Sequence, residues 1–162
     1  MPSRALRLAA GVAAVSAGFV VGTAPSAYGG TTAPYCRLDV ETGDLACSAT
    51  ESGLARLSAS TTLAAASTTY VLGRLYDDAN RVGPYLELTA SGPCDTSSDV
   101  DWEVSNVGST WNDRTSSFQG YNACQVKVFE NAGYTGGSLG PLGSTDYVGA
   151  AMNDRTTSVR FS

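Results

Sequence analysis

The sequence contains no histidine and only one lysine, Lys127, and just 15% of its residues are charged. Without histidine there is no Ser-His-Asp triad, no Cys-His pair and no His-ligated zinc or haem. Ten basic residues face fifteen acidic ones, a balance that disfavours binding to nucleic acid. We therefore expect no nucleic-acid partner, no membrane partner held by charge, and no enzymatic activity.

What the chain does contain suits a β-rich domain. Its 162 residues are 43% apolar, which is enough for one modest hydrophobic core. Eighteen glycines, together with many serines and threonines, indicate a loop-rich, all-β protein.

The first 27 residues have the pattern of a secretory signal peptide. Arg4 and Arg7 supply a positive start, the apolar run 8–21 follows, and small residues occupy 22–30. Fourteen apolar residues are too few to span a bilayer as a helix. We therefore expect a secreted, extracellular protein that keeps 8 basic and 15 acidic residues after cleavage, a net charge of −7.

The four cysteines are an even set in a chain expected to be exported, which predicts two disulfides. Three pairings are possible. We favour Cys36–Cys47 and Cys94–Cys124, because each pair closes a segment that resembles a structural unit. No C-x-x-C motif is present, so neither redox catalysis nor a thiolate zinc site is expected.

The composition changes near residue 69. Residues 28–69 are poor in aromatic side chains and rich in Ala, Ser and Thr. Residues 51–66 favour a short helix through Leu54, Leu57 and Leu63, although the Thr and Ser content weakens it. This N-terminal extension is equally consistent with a pro-segment, a spacer or a docked hairpin.

Residues 70–162 have the pattern of an antiparallel β-sandwich. Turn-forming Gly, Pro, Asn and Asp separate five segments of β-strand composition. These segments are Tyr70–Tyr76, Tyr85–Thr89, Val100–Val104, Cys124–Phe129 and Thr157–Phe161.

An internal repeat is the most informative feature of this region. Residues 112–117 (NDRTSS) recur 41 positions later as residues 153–158 (NDRTTS), with five of six identical. Each copy follows an aromatic–acid pair, Tyr76-Asp77 or Phe129-Glu130. Repeats of ~40 residues in β-rich sequence indicate duplicated four-stranded units that share one core.

These residues resemble the βγ-crystallin family, in which each Greek-key motif has an aromatic–acid hairpin and an Asn/Asp-rich corner ending in Ser. The resemblance implies a sandwich of two four-stranded motifs, residues 70–121 and 122–162, after a disulfide-stapled extension. The second motif is the better match, because Val82 stands where the first would have a second aromatic residue. The chain is also similar to secreted microbial metalloproteinase inhibitors with this fold.

The repeated corners offer the hard oxygen ligands that Ca²⁺ prefers. The candidate ligands are Asp77, Asn112, Asp113, Ser116, Glu130, Asn153, Asp154 and Thr157. The resemblance implies a crossed arrangement in which each corner lends its hydroxyl to the ion of the other motif, so that two ions lie between the motifs. Few carboxylates serve each ion, so we expect weak affinity, on the order of 10⁻⁵ to 10⁻³ M.

A purely structural role for the corners is the alternative. Asn112 and Asn153 would then cap turns, and Ser117 and Ser158 would bond to the main chain. Arg114 and Arg155 within the corners would repel an ion if they pointed inward, but at these positions they can point outward, so they do not exclude calcium binding.

Three functions remain open: a calcium-stabilised structural or adhesive protein, a protease inhibitor that presents the loop 91–101, and, ranked last, a small secreted toxin. Two further groups of residues are assigned no part in binding. We expect an acidic cluster in a solvated loop (Asp95, Asp99, Asp101 and Glu103) and aromatic core residues (Trp102, Trp111, Phe118, Tyr121 and Phe129).

Overall fold

A computed structural model of the chain describes residues 34–62 and 68–162. The predicted signal peptide, residues 1–27, and the extension before Pro34 lie outside these ranges. Within them, no helix is both long and apolar enough to cross a bilayer.

The described residues form ten strands, one α-helix and one 3₁₀ turn, Ala79–Arg81. In chain order they are β1 Tyr35–Asp39, β2 Leu45–Ser48, α1 Glu51–Thr62, β3 Tyr70–Tyr76, β4 Tyr85–Ala90, β5 Trp102–Val104, β6 Ser117–Gly120, β7 Val126–Asn131, β8 Thr135–Leu142, β9 Ser144–Thr145 and β10 Ser158–Phe161. The five predicted strands are present; β3 has the predicted bounds, and the other four have shifted ends. β6, β8 and β9 were not predicted, because their Gly, Pro and Ser content lacks the usual strand signal.

The strands form two sheets. The first motif contains β3 to β6 and the second contains β7 to β10, and the third strand of each motif lies in the sheet of the other. Sheet A has the order β2-β1-β4-β3-β6-β9, and sheet B has the order β5-β10-β7-β8. β5 of the first motif pairs with β10 of the second, and β9 of the second pairs with β6 of the first. The prediction of a sandwich of two four-stranded Greek-key motifs is confirmed.

The core lies between the two sheets. Trp111 and Phe118 are fully buried and Phe129 is 7% exposed, so three of the five predicted core aromatic residues are buried. Trp102 and Tyr121 are half-buried. Neither motif closes this core alone, since β5 and β9 each lie in the sheet of the other motif.

The N-terminal extension is docked on sheet A. β1 pairs antiparallel with β2 and parallel with β4. The Cys36–Cys47 disulfide cross-links this N-terminal hairpin. Cys94–Cys124 links the segment that follows β4 to the segment that precedes β7. Both favoured pairings are confirmed.

A small second apolar cluster covers the outer face of sheet A. Leu54 of α1 packs there with Tyr76 and Tyr85, and Tyr35 borders them. The Tyr85 hydroxyl donates a hydrogen bond to Glu51 Oε1 at 2.9 Å. The predicted helix is therefore present over Glu51–Thr62, while Leu63 and the rest of the prediction lie outside the described residues.

A buried carboxylate joins the extension to the first motif. Glu87 on β4 is 1% exposed. It accepts hydrogen bonds from Arg37 Nε of β1 at 2.7 Å and from Arg74 Nε of β3 at 2.8 Å. Each guanidinium also places Nη2 on the oxygen that its Nε contacts, so each carboxylate oxygen is paired with one arginine. A buried charge requires such pairing.

Candidate metal sites at the twin corners

The two repeated hexapeptides face each other across the interface between the motifs. The Asp113 N–H donates to the Thr156 carbonyl at 3.1 Å, and the Asp154 N–H donates to the Thr115 carbonyl at 3.2 Å. Both aspartates have left-handed backbone, with φ of 58° and 55°. The matching geometry shows that the corners are equivalent and related by an approximate twofold axis.

The last serine of each corner holds the hairpin of its own motif. Ser117 Oγ donates to the Asp78 carbonyl at 2.6 Å and accepts the Arg81 N–H at 2.9 Å. Ser158 Oγ makes the same pair of bonds, at 2.6 and 3.0 Å, with Asn131 and Tyr134. These two serines are fully buried, so their role is structural, as the structural alternative proposed.

The same bonds correct the sequence alignment of the hairpins. Arg81, and not Val82, occupies the position of the second aromatic residue, because it shares its hydrogen bond and its positive φ with Tyr134. Tyr134 packs edge-on against Phe129, with ring centroids 5.9 Å apart. Arg81 instead pairs with Asp146 at 2.9 Å, while Val82 is 56% exposed.

Beside the corners lie two open cavities that combine residues of both motifs. The first cavity, of about 510 Å³, lies next to the Asp77 hairpin. It is lined by Asp77, Asp78, Ser109, Asn112, Asp113, Arg114, Ser116 and, from the second motif, Asp154.

The second cavity, of about 460 Å³, lies next to the Glu130 hairpin. It is lined by Glu130, Asn131, Ala132, Asp154, Arg155, Thr157 and, from the first motif, Asn112 and Asp113. Seven of the eight predicted ligands therefore line one cavity or both. Asp113 and Asp154 line both, which places a carboxylate of each motif in the cavity of the other. Ser116 and Thr157 each line the cavity of their own motif, so the carboxylates cross between the motifs and the hydroxyls, contrary to the expectation, do not.

The remaining predicted ligand, Asn153, does not line either cavity. Its side-chain amide donates to Asp154 Oδ2 at 2.7 Å, and Asn112 makes the same bond to Asp113 Oδ2. The asparagines therefore orient the carboxylates. Within the described residues, the hydroxyls of Ser116 and Thr157 form no hydrogen bond, so their oxygens remain available to a ligand.

The corner arginines are partly exposed, line the cavities and pair with the hairpin acids. Arg114 Nη1 is 3.8 Å from Asp77 Oδ1. Arg155 Nη2 pairs closely with Glu130 Oε1. Each arginine thus contacts the hairpin acid of its own motif, although much more closely in the second motif than in the first.

The two hairpin acids differ in their electrostatic surroundings. Burial raises the pKa of Asp77, and the nearby carboxylates of Asp78 and Asp154 raise it further against the opposing effect of Arg114. The hydrogen bond from the Gly137 N–H lowers the pKa of Glu130, and Arg155 adds to that effect. The negative charge of the first cavity is therefore less completely neutralised by its arginine than the negative charge of the second cavity.

The donor set fits a weakly held hard cation. Among residues 34–62 and 68–162, no three Asp, Glu, Cys or His side chains lie close enough to form a metal cluster of their own. The first cavity has four carboxylates at its walls and the second has three, together with hydroxyl, amide and main-chain oxygens. Oxygen donors of this kind suit Ca²⁺, whose coordination shell is large and flexible and accepts water.

Sequence reasoning missed the middle threonines of the corners. Thr115 and Thr156 are fully buried, and their carbonyls accept the bonds that join the motifs. Their hydroxyls find no hydrogen-bond partner among the described residues. The available signal was their identity in both copies of the repeat.

The chain was compared with known proteins. No family model matches it, and no curated protein matches it. It is similar to the crystal structure of a βγ-crystallin domain from Clostridium beijerinckii, 25% identical, covering 56% of this chain and 95% of that one, with a TM-score of 0.42. It is also similar to a βγ-crystallin domain from Flavobacterium johnsoniae, 18% identical over 56% and 93% of the chains, with a TM-score of 0.39.

A third similar structure is the N-terminal domain of protein S, 13% identical over 56% of this chain and 94% of that one, with a TM-score of 0.43. The fold is established independently by the exchanged strands and by the reciprocal bonds between the corners. Residues 70–162 therefore form a two-motif Greek-key domain of the βγ-crystallin type.

Proposed function

We propose that the chain binds Ca²⁺ in the two cavities and that the ions stabilise the contact between its motifs. The observation that supports this most directly is the crossing of Asp113 and Asp154, each of which lines the cavity beside the other motif's hairpin. An ion held by such a carboxylate and by the local hairpin contacts both motifs at once.

The residues assigned to each ion follow from the cavity walls. In the first cavity we assign Asp77, Ser116 and Asp154, and in the second Glu130, Thr157 and Asp113. Asn112 and Asn153 orient the two shared carboxylates. The ion supplies positive charge where carboxylates of different motifs approach each other.

The expected affinity is weak, on the order of 10⁻⁵ to 10⁻³ M, because neutral oxygens and water must complete each shell. Extracellular Ca²⁺ is compatible with that range. An ion present at 100 times its dissociation constant stabilises the folded state by about 2.7 kcal/mol per site. The proposal thus places the chain outside the cell, in agreement with the predicted signal peptide.

Calorimetry tests this proposal. Isothermal titration of the oxidised chain from residue 28 should show saturable calcium heat, and scanning calorimetry should show a higher melting temperature with Ca²⁺ than with EDTA. Asp154→Asn should weaken mainly the site in the first cavity, and Asp113→Asn mainly the site in the second, because each carboxylate is assigned to one ion. Asp99→Asn, in the exposed loop, is the matched control and should change nothing. A parent protein without saturable calcium heat would exclude the proposal.

A second candidate function is protease inhibition, favoured by the form of the loop 91–101. Residues 95–100 are exposed, whereas the base of the loop is fastened by the Cys94–Cys124 disulfide. The Trp102 indole N–H donates to the Pro93 carbonyl at 3.3 Å, and the Asp95 N–H donates to Asp101 Oδ2 at 3.3 Å. A fastened, exposed loop loses little conformational entropy when a protease binds it.

Titration against thermolysin-like and subtilisin-like proteases tests this second candidate. Nanomolar inhibition that Val100→Asp abolishes would support it, since Val100 is the large apolar side chain exposed on this loop. If neither class of protease is inhibited, calcium binding remains the proposed function.

A further inference from the structure

A third cavity lies away from both metal sites, between the N-terminal hairpin and β5. We call this cavity, of about 500 Å³, the hairpin groove. One wall is the end and turn of the hairpin, from Leu38 to Leu45, and the other is the segment Glu103–Gly108. It exists only because the N-terminal hairpin has been added to the two Greek-key motifs.

The groove results from the unequal width of the two sheets. Sheet A has six strands and sheet B has four. The two additional strands, β1 and β2, extend sheet A at the end that lies above β5, because residues of both walls line one cavity. β5 is the edge strand of sheet B and pairs there only with β10. The inner face of the hairpin therefore projects beyond the last strand beneath it.

The floor of the groove is apolar. Leu38, Val104 and Val107 are 7%, 8% and 1% exposed and belong to the main core. Leu45 on β2 is 39% exposed at the rim. An apolar side chain placed in the groove would therefore continue the core of the sandwich.

The walls of the groove carry negative charge. Asp39 and Glu103 line it, and no Lys or Arg is among the described residues that do so. Arg160 pairs with Glu103 at 3.1 Å and offsets its charge. Asp39 Oδ1 accepts the N–H groups of Glu41 and Thr42, but among the described residues Asp39 has no arginine or lysine partner and supplies the remaining negative charge. A ligand with a positive charge beside an apolar group matches these walls.

We propose that the hairpin groove binds an extended peptide segment of a partner protein, with an apolar side chain flanked by Lys or Arg. The segment pairs with the free edge of β5 and becomes a fifth strand of sheet B beneath the hairpin. Main-chain hydrogen bonds to a sheet edge supply affinity, and the pocket for alternate side chains supplies specificity. The volume of the groove lies within the range of ligand pockets.

The test uses ¹H–¹⁵N NMR titration of the oxidised chain from residue 28 in EDTA, which separates it from calcium binding. The probe is acetyl-Lys-Val-Phe-Val-Lys-amide. We expect saturable shifts at residues 38–45 and 103–108, with a dissociation constant on the order of 10⁻⁴ M. Probes with Glu in place of Lys, or Gly in place of Phe, should bind at least about tenfold more weakly.

Two further comparisons test the strand addition itself. A probe N-methylated at alternate main-chain amides keeps its side chains but loses its donors, and it should not bind. Ser105→Trp fills the groove and should abolish binding. Ser138→Trp, on the opposite edge strand β8, is the matched control and should bind the probe as the parent does.

Three results of the binding experiments would overturn the proposal. They are an absence of saturable shifts in the parent, equal binding of the N-methylated probe, and equal binding by Ser105→Trp. A concentration-dependent dimer in sedimentation, with the groove residues at its interface, would overturn it in favour of a second copy of this chain as the occupant.

Discussion

The two cavities share a backbone but differ in their counter-charges. In both, the corner aspartate has left-handed φ and donates its N–H to the opposite corner. Arg155 contacts Glu130 closely, whereas Arg114 lies 3.8 Å from Asp77. The comparison shows that the corner backbone is the same in both motifs, while individual side chains set how much negative charge is left for an ion.

The motifs differ also on their outer faces. The first strand of motif one carries Arg74, which pairs with the buried Glu87 and stacks 4.3 Å above the Tyr85 ring. At the equivalent position, motif two carries Lys127, 5.3 Å above the Phe129 ring. The first motif is thus tied to the N-terminal extension by charge, and the second has no such attachment among the described residues.

The largest expected effect comes from removing one of the two arginine partners of the buried Glu87. Arg74→Ala leaves a buried carboxylate with only Arg37 as its partner, and we expect a loss of about 3 kcal/mol in the free energy of unfolding. Lys127→Ala, the matched change in motif two, should cost less than about 1 kcal/mol. Urea unfolding followed by circular dichroism measures both, and equal losses would contradict the proposed asymmetry.

The next effect should be the same in both motifs. Ser117→Ala and Ser158→Ala each leave a part-buried main-chain carbonyl and N–H of the hairpin without their partner, at a cost of about 1 kcal/mol. Because the bonds match in number and length, the two losses should agree closely when measured by urea unfolding in EDTA. A clear difference between the two losses would show that the corners are not equivalent in energy, although their geometry matches.

Single hydroxyl ligands should separate the two ions. Ser116→Ala should weaken only the site in the first cavity, and Thr157→Val only the site in the second, each by about fivefold. Two-site analysis of calcium titrations measures the change. If either variant weakened both sites equally, the assignment of one hydroxyl to one ion would be wrong.

The smallest effect should come from the corner arginines. Arg155→Ala releases Glu130 and should strengthen calcium binding in the second cavity by about threefold, as expected for removing one solvent-screened positive charge. Arg114→Ala should have a smaller effect, because that pair is looser. Calcium titration at low and at high salt checks the electrostatic cause, since the gain should shrink as salt increases.

Much of the frame was predictable from local patterns. β3 and β4 have strong strand composition, and the recurrence of the corner at five of six positions predicted two equivalent motifs. The arginine positions were not predictable, because the direction of a long side chain depends on acids that are distant in sequence. Similarly, Glu87 lies between Leu86 and Leu88, and nothing local indicates that two arginines from other strands surround it.

The amino-acid sequence by itself determined the two Greek-key units, the pairing of neighbouring cysteines and the oxygen-rich corners, because turn residues, strand periodicity and repetition act over short stretches of chain. The tertiary structure alone decided which strands the motifs exchange, how the extension widens one sheet, and which arginine neutralises which acid. These outcomes depend on contacts between distant segments, whose relative positions exist only after the sheets have packed.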